Sequence, residues 1–281
     1  MKTPPRLLAL QEDGLIDEVT RQLMSGKEAT VFVVRSGDEV MCAKVYKEAN
    51  KRSFRQSVDY TEGRKVKNSR LARAMNKGSK YGKQAQEEAW QSAEVDALYR
   101  LADAGVTVPK PYNFYEGVLL MELVTDEHGH AAPRLNDLSF TAEEARLHHN
   151  SLVTEVVRML CAGIVHGDLS EFNILLGENG PVIIDLPQAV DASSNNHAQA
   201  MLYRDVNNLA TFFGQFAPEL RNTQYGKEIW GLYAKGALSL DVALTGRTKE
   251  NHKAVDLNSI VHEIDAIRAQ EERRKQRMLD A

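Results

Sequence analysis

Cysteine, aromatic residues and long apolar runs are all scarce in this chain. It has 2 Cys among 281 residues, and 7% of its residues are aromatic. No stretch approaches the roughly 18 consecutive apolar residues that a membrane helix needs. Cys42 and Cys161 sit far apart in separate apolar runs, neither with a CxxC partner. That argues against a disulfide framework and a thiolate metal knot, and both are expected to be small buried hydrophobes. The opening run from Met1 to Leu10 is too short an apolar stretch for a secretory signal, so a cytoplasmic protein without membrane contact is expected. His128, His130, His148 and His149 show no metal-ligand spacing and read as surface residues.

What is present is a globular composition, 43% apolar and 26% charged, long enough for one large core or two lobes. The net charge of −4 hides an uneven distribution. Residues 47–83 carry seven Lys and five Arg against three acidic side chains, so this block is +9 and the remainder −13. Such a block is either a solvated face or an electrostatic handle for RNA or an acidic partner. Few aromatics interrupt it (Phe54, Tyr60, Tyr81), so any nucleic acid would be held through phosphates rather than stacked bases.

The chain opens with a leader, 1–14, followed by a segment with helical spacing from Leu15 to Leu23. Thr30–Val34 and Val40–Tyr46 read as strands joined by a turn at Arg35–Glu39. A helix is expected from Gln84 to Ala102, and two short strands about Glu116-Gly117 between Phe114 and Val124. Thr141-Ala-Glu-Glu144 has the spacing of a capping box and should open a helix running to Ala162. Two strands about Gly177–Gly180 follow, then helices over 204–216 and 227–237, and a charged helix from about Asn258. The plan is α+β and bilobal: a strand-rich N-lobe (15–124, with 47–83 as an insert), a helical C-lobe (125–257) and a terminal helix (258–281).

Chemistry concentrates in His166-Gly167-Asp168-Leu169-Ser170-Glu171-Phe172-Asn173, followed by Ile183-Ile184-Asp185. An Asp, an Asn five residues on, and a second Asp after an apolar run is the spacing of kinase-type phosphoryl transfer. The first Asp orients a hydroxyl, while Asn173 and Asp185 are suited to hold a hard cation on phosphates. His166 reads as a structural side chain beneath the loop rather than a base. Upstream, Ser25-Gly26-Lys27-Glu28-Ala29-Thr30-Val31 precedes a hairpin strand. It is either an ordinary turn or a phosphate loop with a single glycine. Lys44 on the next strand is either an edge lysine or the partner of the nucleotide phosphates and a helix glutamate. Glu94 is the best candidate for that glutamate, with Glu87 and Glu88 as alternatives. Met121, Glu122 and Val124 fall at the lobe junction, where backbone groups can meet an adenine edge. Ala217-Pro218-Glu219 reads as a helix end followed by Pro.

These motifs, in this order between Leu15 and Leu240, resemble the RIO family of atypical protein kinases. The resemblance rests on Ser25–Ala29, Ala43-Lys44-Val45-Tyr46, the basic insert before Trp90, His166–Asn173, Ile184-Asp185-Leu186-Pro187-Gln188 and Tyr203–Phe213. It implies a protein-kinase-like fold whose C-lobe lacks peptide-docking helices. It also implies an ATP site with Mg²⁺ (or Mn²⁺), serine/threonine kinase activity with self-phosphorylation, and a slow ATPase linked to ribosome maturation. In that frame Asp168 accepts the proton, and Asn173 and Asp185 bind metal. Lys44 and Glu94 form the ion pair, residues 25–29 and Val31 cover the nucleotide, and Asp185 is a transient phosphoacceptor. Pro187 resembles the Rio2 version of its segment, whereas the basic insert resembles Rio1. With 24 residues before Ser25, a compact Rio1-like bacterial form is expected. A small-molecule phosphotransferase of the aminoglycoside or choline type shares His-Gly-Asp and the later Asn, but fits residues 25–29 and 184–188 poorly.

Overall fold

The computed structural model describes residues 3–47 and 93–247, which belong to a single compact unit. The insert beyond Lys47, Glu87, Glu88, Trp90 and the expected terminal helix lie outside the described residues.

The N-lobe is a five-stranded antiparallel sheet in the order β1-β2-β3-β5-β4. Its strands are β1 (Glu18–Ser25), β2 (Ala29–Ser36), β3 (Glu39–Tyr46), β4 (Pro111–Tyr115) and β5 (Val118–Glu122). The β2–β3 hairpin matches the expected one, and Gly37 at φ 60° supplies the left-handed turn residue that a side chain would resist. The helical reading of Leu15–Leu23 is corrected, since this segment is mostly edge strand. Its i, i+4 apolar spacing imitates a helix because an edge strand buries little, and only Val19 and Leu23 are partly covered within β1. Two register shifts against β2 further break its alternation.

Helix α1 (Pro5–Glu12) carries Leu7 and Leu10, both fully buried, onto one sheet face. There, with Ile16, they form a second hydrophobic cluster with Phe32, Val34, Met41, Ala43, Val45, Val118 and Leu120. The opposite face receives helix α2 (described over 93–103), through Val95, Leu98 and Leu101.

The C-lobe is built on α3 (Ala142–Cys161), α4 (Ala198–Phe213) and α5 (Tyr225–Ala234). Thr141 caps α3 reciprocally with Glu144, as its spacing foretold. Helix α4 begins at Ala198, six residues before the expected start, because buried Ala198, Met201 and Leu202 extend its apolar stripe towards the N-terminus. Between α3 and α4 lie four short strands in two pairs: β6 (Ile164–Val165) with β9 (Val190–Asp191), and β7 (Ile174–Gly177) with β8 (Gly180–Ile183). Phe140, Phe212, Phe213 and Phe216 pack against one another within this lobe, edge to face except for the tilted Phe140–Phe213 pair.

Two burial expectations are corrected here. His149 is fully buried against Phe213 and Tyr225, because it falls on the inner stripe of α3. Cys161, the last residue of that helix, is exposed. Ala217-Pro218-Glu219 falls just beyond the end of α4 and opens a 3₁₀ turn (Pro218–Asn222). Only residues 186–197 separate Asp185 from α4.

Candidate active site

A cavity of about 610 Å³ opens between the lobes. Gly26, Lys27, Glu28, Ala29 and Val31 line one wall, Lys44 and Cys42 the roof, and Met121, Glu122 and Val124 the rear strand end. Asp185, Ile184 and Leu175 line the opposite wall. Most of the residues expected from sequence therefore meet around a single void. Ser25 lies beside it, and Glu94 faces a smaller recess shared with Lys44 and Asp185. Asp168 and Asn173 line neither; they lie on the loop 166–173, which is tied to the cavity wall by the Ile184 N–H donating to the Asn173 carbonyl at 3.0 Å.

The upper wall is organised by Lys44. Its Nζ lies 2.5 Å from Glu94 Oε1 and 2.9 Å from Asp185 Oδ1. Burial pulls this ammonium down, but Glu94 and Asp185 more than offset it and leave Lys44 well above its ordinary value. It is a fixed positive charge joining the two lobes. In return, Lys44 holds the Asp185 carboxyl below the usual carboxylate range, against the opposing effect of burial. Cys42 is a different matter: burial pushes its thiol up to about 12, so it is an inert wall.

The Ser25–Ala29 turn is closed by the Gly26 N–H to the Ala29 carbonyl at 2.9 Å. Lys47 Nζ braces it through Ser25 Oγ (3.1 Å) and the Gly26 carbonyl (2.5 Å). A Cβ on Gly26 would meet nothing closer than 3.6 Å, so this loop does not depend on glycine for space.

The lower wall is the loop 166–173, and its backbone is gripped by α4. Asp205, 1% exposed, accepts from the Gly167 N–H at 2.8 Å and the Leu169 N–H at 3.0 Å, one on each oxygen. Asn208 donates to the Leu169 carbonyl at 3.0 Å, and the Arg204 guanidinium donates to the Gly167 carbonyl. Burial pushes Asp205 up to about 7, with the two N–H donors working against it. Gly167 at φ 82° makes the turn that leaves Asp168 exposed between two buried neighbours.

His166 is structural, as expected. Its Nε2 meets the Ile184 carbonyl at 3.1 Å, and Nδ1 lies 3.2 Å from the Asp168 amide. A carbonyl only accepts and an N–H only donates, so the proton resides on Nε2. Burial lowers the imidazole's affinity for a second proton. Asn173 donates Nδ2 to the Asp168 carbonyl at 2.8 Å, which leaves its Oδ1 as the available ligand atom.

Among the described residues no three His, Cys, Asp or Glu side chains form a metal cluster. Asn173 Oδ1 and the free Asp185 oxygen are hard donors that fit Mg²⁺, which is commonly held by one or two side chains plus substrate phosphates. Asp185 sits at φ 66°, a left-handed conformation that Asp tolerates better than most side chains.

At the lobe junction the Glu122 N–H donates to the Lys110 carbonyl at 2.8 Å. The Lys110 N–H turns instead to the Glu122 carboxylate at 3.0 Å, which leaves the Glu122 carbonyl as the acceptor at that edge. Val124 uses its carbonyl on the Ala132 N–H, so its N–H is the group it can offer.

Sequence reasoning missed three contributors. Arg134 and Asp137 line the cavity from the segment after the junction, where nothing in their spacing marks them. Asp205 fell inside a motif but carried no role; the one available signal was an Asp on the apolar stripe of a helix.

A strand lysine bridging a helix carboxylate and a metal-type Asp, above a clamped Asp/Asn loop, defines a protein-kinase-like phosphoryl-transfer fold. A family model described as RIO domain matches residues 30–225, and the chain belongs to that family. Among relatives, the RIO-type serine/threonine-protein kinase Rio1 of Haloferax volcanii is 38% identical over 73% of this chain and 66% of its own length. The serine/threonine-protein kinase rio1 of Schizosaccharomyces pombe is 32% identical over 74% of this chain and 40% of its own. RIO1 of Chaetomium thermophilum is 31% identical over 74% and 42%. The chain thus spans about two thirds of the archaeal relative and about two fifths of the fungal ones.

Proposed function

We propose that this chain is an ATP- and Mg²⁺-dependent serine/threonine protein kinase of the RIO type that phosphorylates itself. The observation that carries the reading is Lys44 shared between Glu94 and Asp185, at 2.5 and 2.9 Å. In this reading adenine enters against Val31, Cys42 and Leu175, with the Glu122 carbonyl and the Val124 N–H at its edge. Lys44 and the 25–29 turn take the phosphates. Asp168 receives the proton of the attacking hydroxyl, and Asn173 and Asp185 supply oxygen ligands to the cation (Mg²⁺, or Mn²⁺ in its place), which neutralises phosphate charge when bound. No helix among the described residues is long and apolar enough to cross a membrane, and a cytoplasmic location is part of the proposal.

A second reading is an ATPase switch in ribosome or RNA–protein assembly, with the phosphate passing through Asp185. The Asp185 side chain is 45% exposed and has one oxygen outside the Lys44 contact, which favours it. Residues 47–83 would then meet RNA phosphates, with steep salt dependence. Tracing labelled γ-phosphate from Mg-ATP separates the readings. Label on Ser or Thr supports the kinase, and a base-labile acyl phosphate with free phosphate supports the switch. Label on neither protein nor water would defeat both.

A further inference from the structure

Tyr46 follows Lys44 by two residues on β3, which places both side chains on the same face of the strand. The Tyr46 hydroxyl donates to Glu94 Oε2 at 2.9 Å, while Lys44 holds Oε1 at 2.5 Å. A single strand therefore engages both oxygens of one helix carboxylate. The contact is enclosed: Tyr46 is 3% exposed and Glu94 6%.

The ring itself is held on several sides. The Lys44 ammonium lies 5.6 Å from its centroid, and Phe114 meets it edge to face at 6.2 Å. The Tyr46 main chain is tied to the Gly117 carbonyl at 3.0 Å, and Arg6 of α1 donates to the Tyr46 carbonyl at 2.7 Å. Burial and the Glu94 charge keep the phenol protonated, so it stays a donor.

The need for such a donor follows from competition. Lys44 has two carboxylates within reach, Glu94 and Asp185. A lysine–glutamate contact alone fixes a distance but leaves the carboxylate free to turn about its last bond. A second, directional donor removes that freedom.

We infer that Tyr46 is a positioning residue of the phosphoryl-transfer site: its hydroxyl locks Glu94, and through Glu94 it sets the Lys44 ammonium over the cleft. The inference rests on the kinase reading for what Lys44 does, but its geometry is independent of which acceptor receives the phosphate. Helix α1 belongs to the same chain of contacts through Arg6.

The test uses the full chain with Tyr46→Phe, Glu94→Gln and the double variant. Label transfer gives kcat/KM, and a fluorescent ATP analogue gives nucleotide affinity. Losing one hydrogen bond to a charged group should lower kcat/KM for Mg-ATP roughly tenfold in Tyr46→Phe. The double variant should lose no more than Glu94→Gln alone, because the hydroxyl acts only through that carboxylate. Wild-type kcat/KM in Tyr46→Phe, or losses that multiply in the double variant, would overturn the inference. If the wild-type chain transfers no label, the kinase reading fails separately, and the same coupling is read in nucleotide affinity. If Tyr46→Phe does not fold, Tyr46→His restores a ring donor. Recovery to within about threefold of wild type supports the role, and a loss of tenfold or more overturns it.

Discussion

The two walls of the cleft are held by different kinds of bond. Above, three side chains (Lys44, Glu94, Tyr46) hold one another, and their positions depend on rotamers. Below, side chains of α4 hold the main chain of loop 167–169 through Asp205, Asn208 and Arg204. A backbone held at four groups has little freedom left, whereas a side-chain triad can be remade by small shifts of a helix. The contrast suggests that chemistry is fixed from below and nucleotide engagement is tuned from above.

The sharpest test of that division is Asp168→Asn. Phosphate transfer is expected to fall about 10³-fold, the range for losing a general base, with nucleotide affinity within about twofold of wild type. Equal losses in both would erase the distinction between the walls. Next is Asp205→Ala, which strands the buried Gly167 and Leu169 amides and should lower unfolding free energy by about 3 kcal/mol in denaturant titration. A change under about 1 kcal/mol would mean the loop holds itself. Lys44→Met should weaken nucleotide binding by about 10- to 100-fold, and because it leaves the buried Glu94 without its cation it should also cost about 3 kcal/mol of stability. Unchanged nucleotide affinity would show that the upper wall does not tune nucleotide engagement.

The smallest effect is in pH. His166 is neutral in the fold with a depressed pKa, so its contribution is present above about 6.5 and lost as pH falls through the lower folded value. The Asp185 carboxyl is depressed as well, so the tie across the cleft is present above about 3.9 and lost only in stronger acid. Relative to His166→Gln, wild-type melting temperature should therefore decline as pH falls below about 6.5. His148, His149 and Asp205 contribute equally in both proteins, and Asp185→Asn should leave the difference in place. A decline unchanged by His166→Gln would assign it to another group.

Only the upper half of this contrast is legible in the sequence, through the Lys44–Glu94 pairing that the order of kinase-type motifs implies. Capping at Thr141 and the β2–β3 hairpin follow from local pattern, because each depends on a short run. Leu15–Leu23 failed because an edge strand shows too little burial to display its period of two. Cys161 and His149 failed because a position on a helix face depends on which neighbours pack there. Arg134, Asp137 and Asp205 were invisible for a related reason: they reach the site through the tertiary path of the chain, not through spacing.

One small feature bears on inhibition. Five residues after Asp185, β9 pairs with β6, and the Ala192 N–H is bonded to the Gly163 carbonyl at 2.9 Å, while Leu186 is 2% exposed. The metal-type carboxylate is therefore on a short, anchored leash. Compounds that need this Asp to swing outward and vacate a back pocket are expected to bind poorly. Compounds that compete within the existing 610 Å³ cavity have a ready-made receptor.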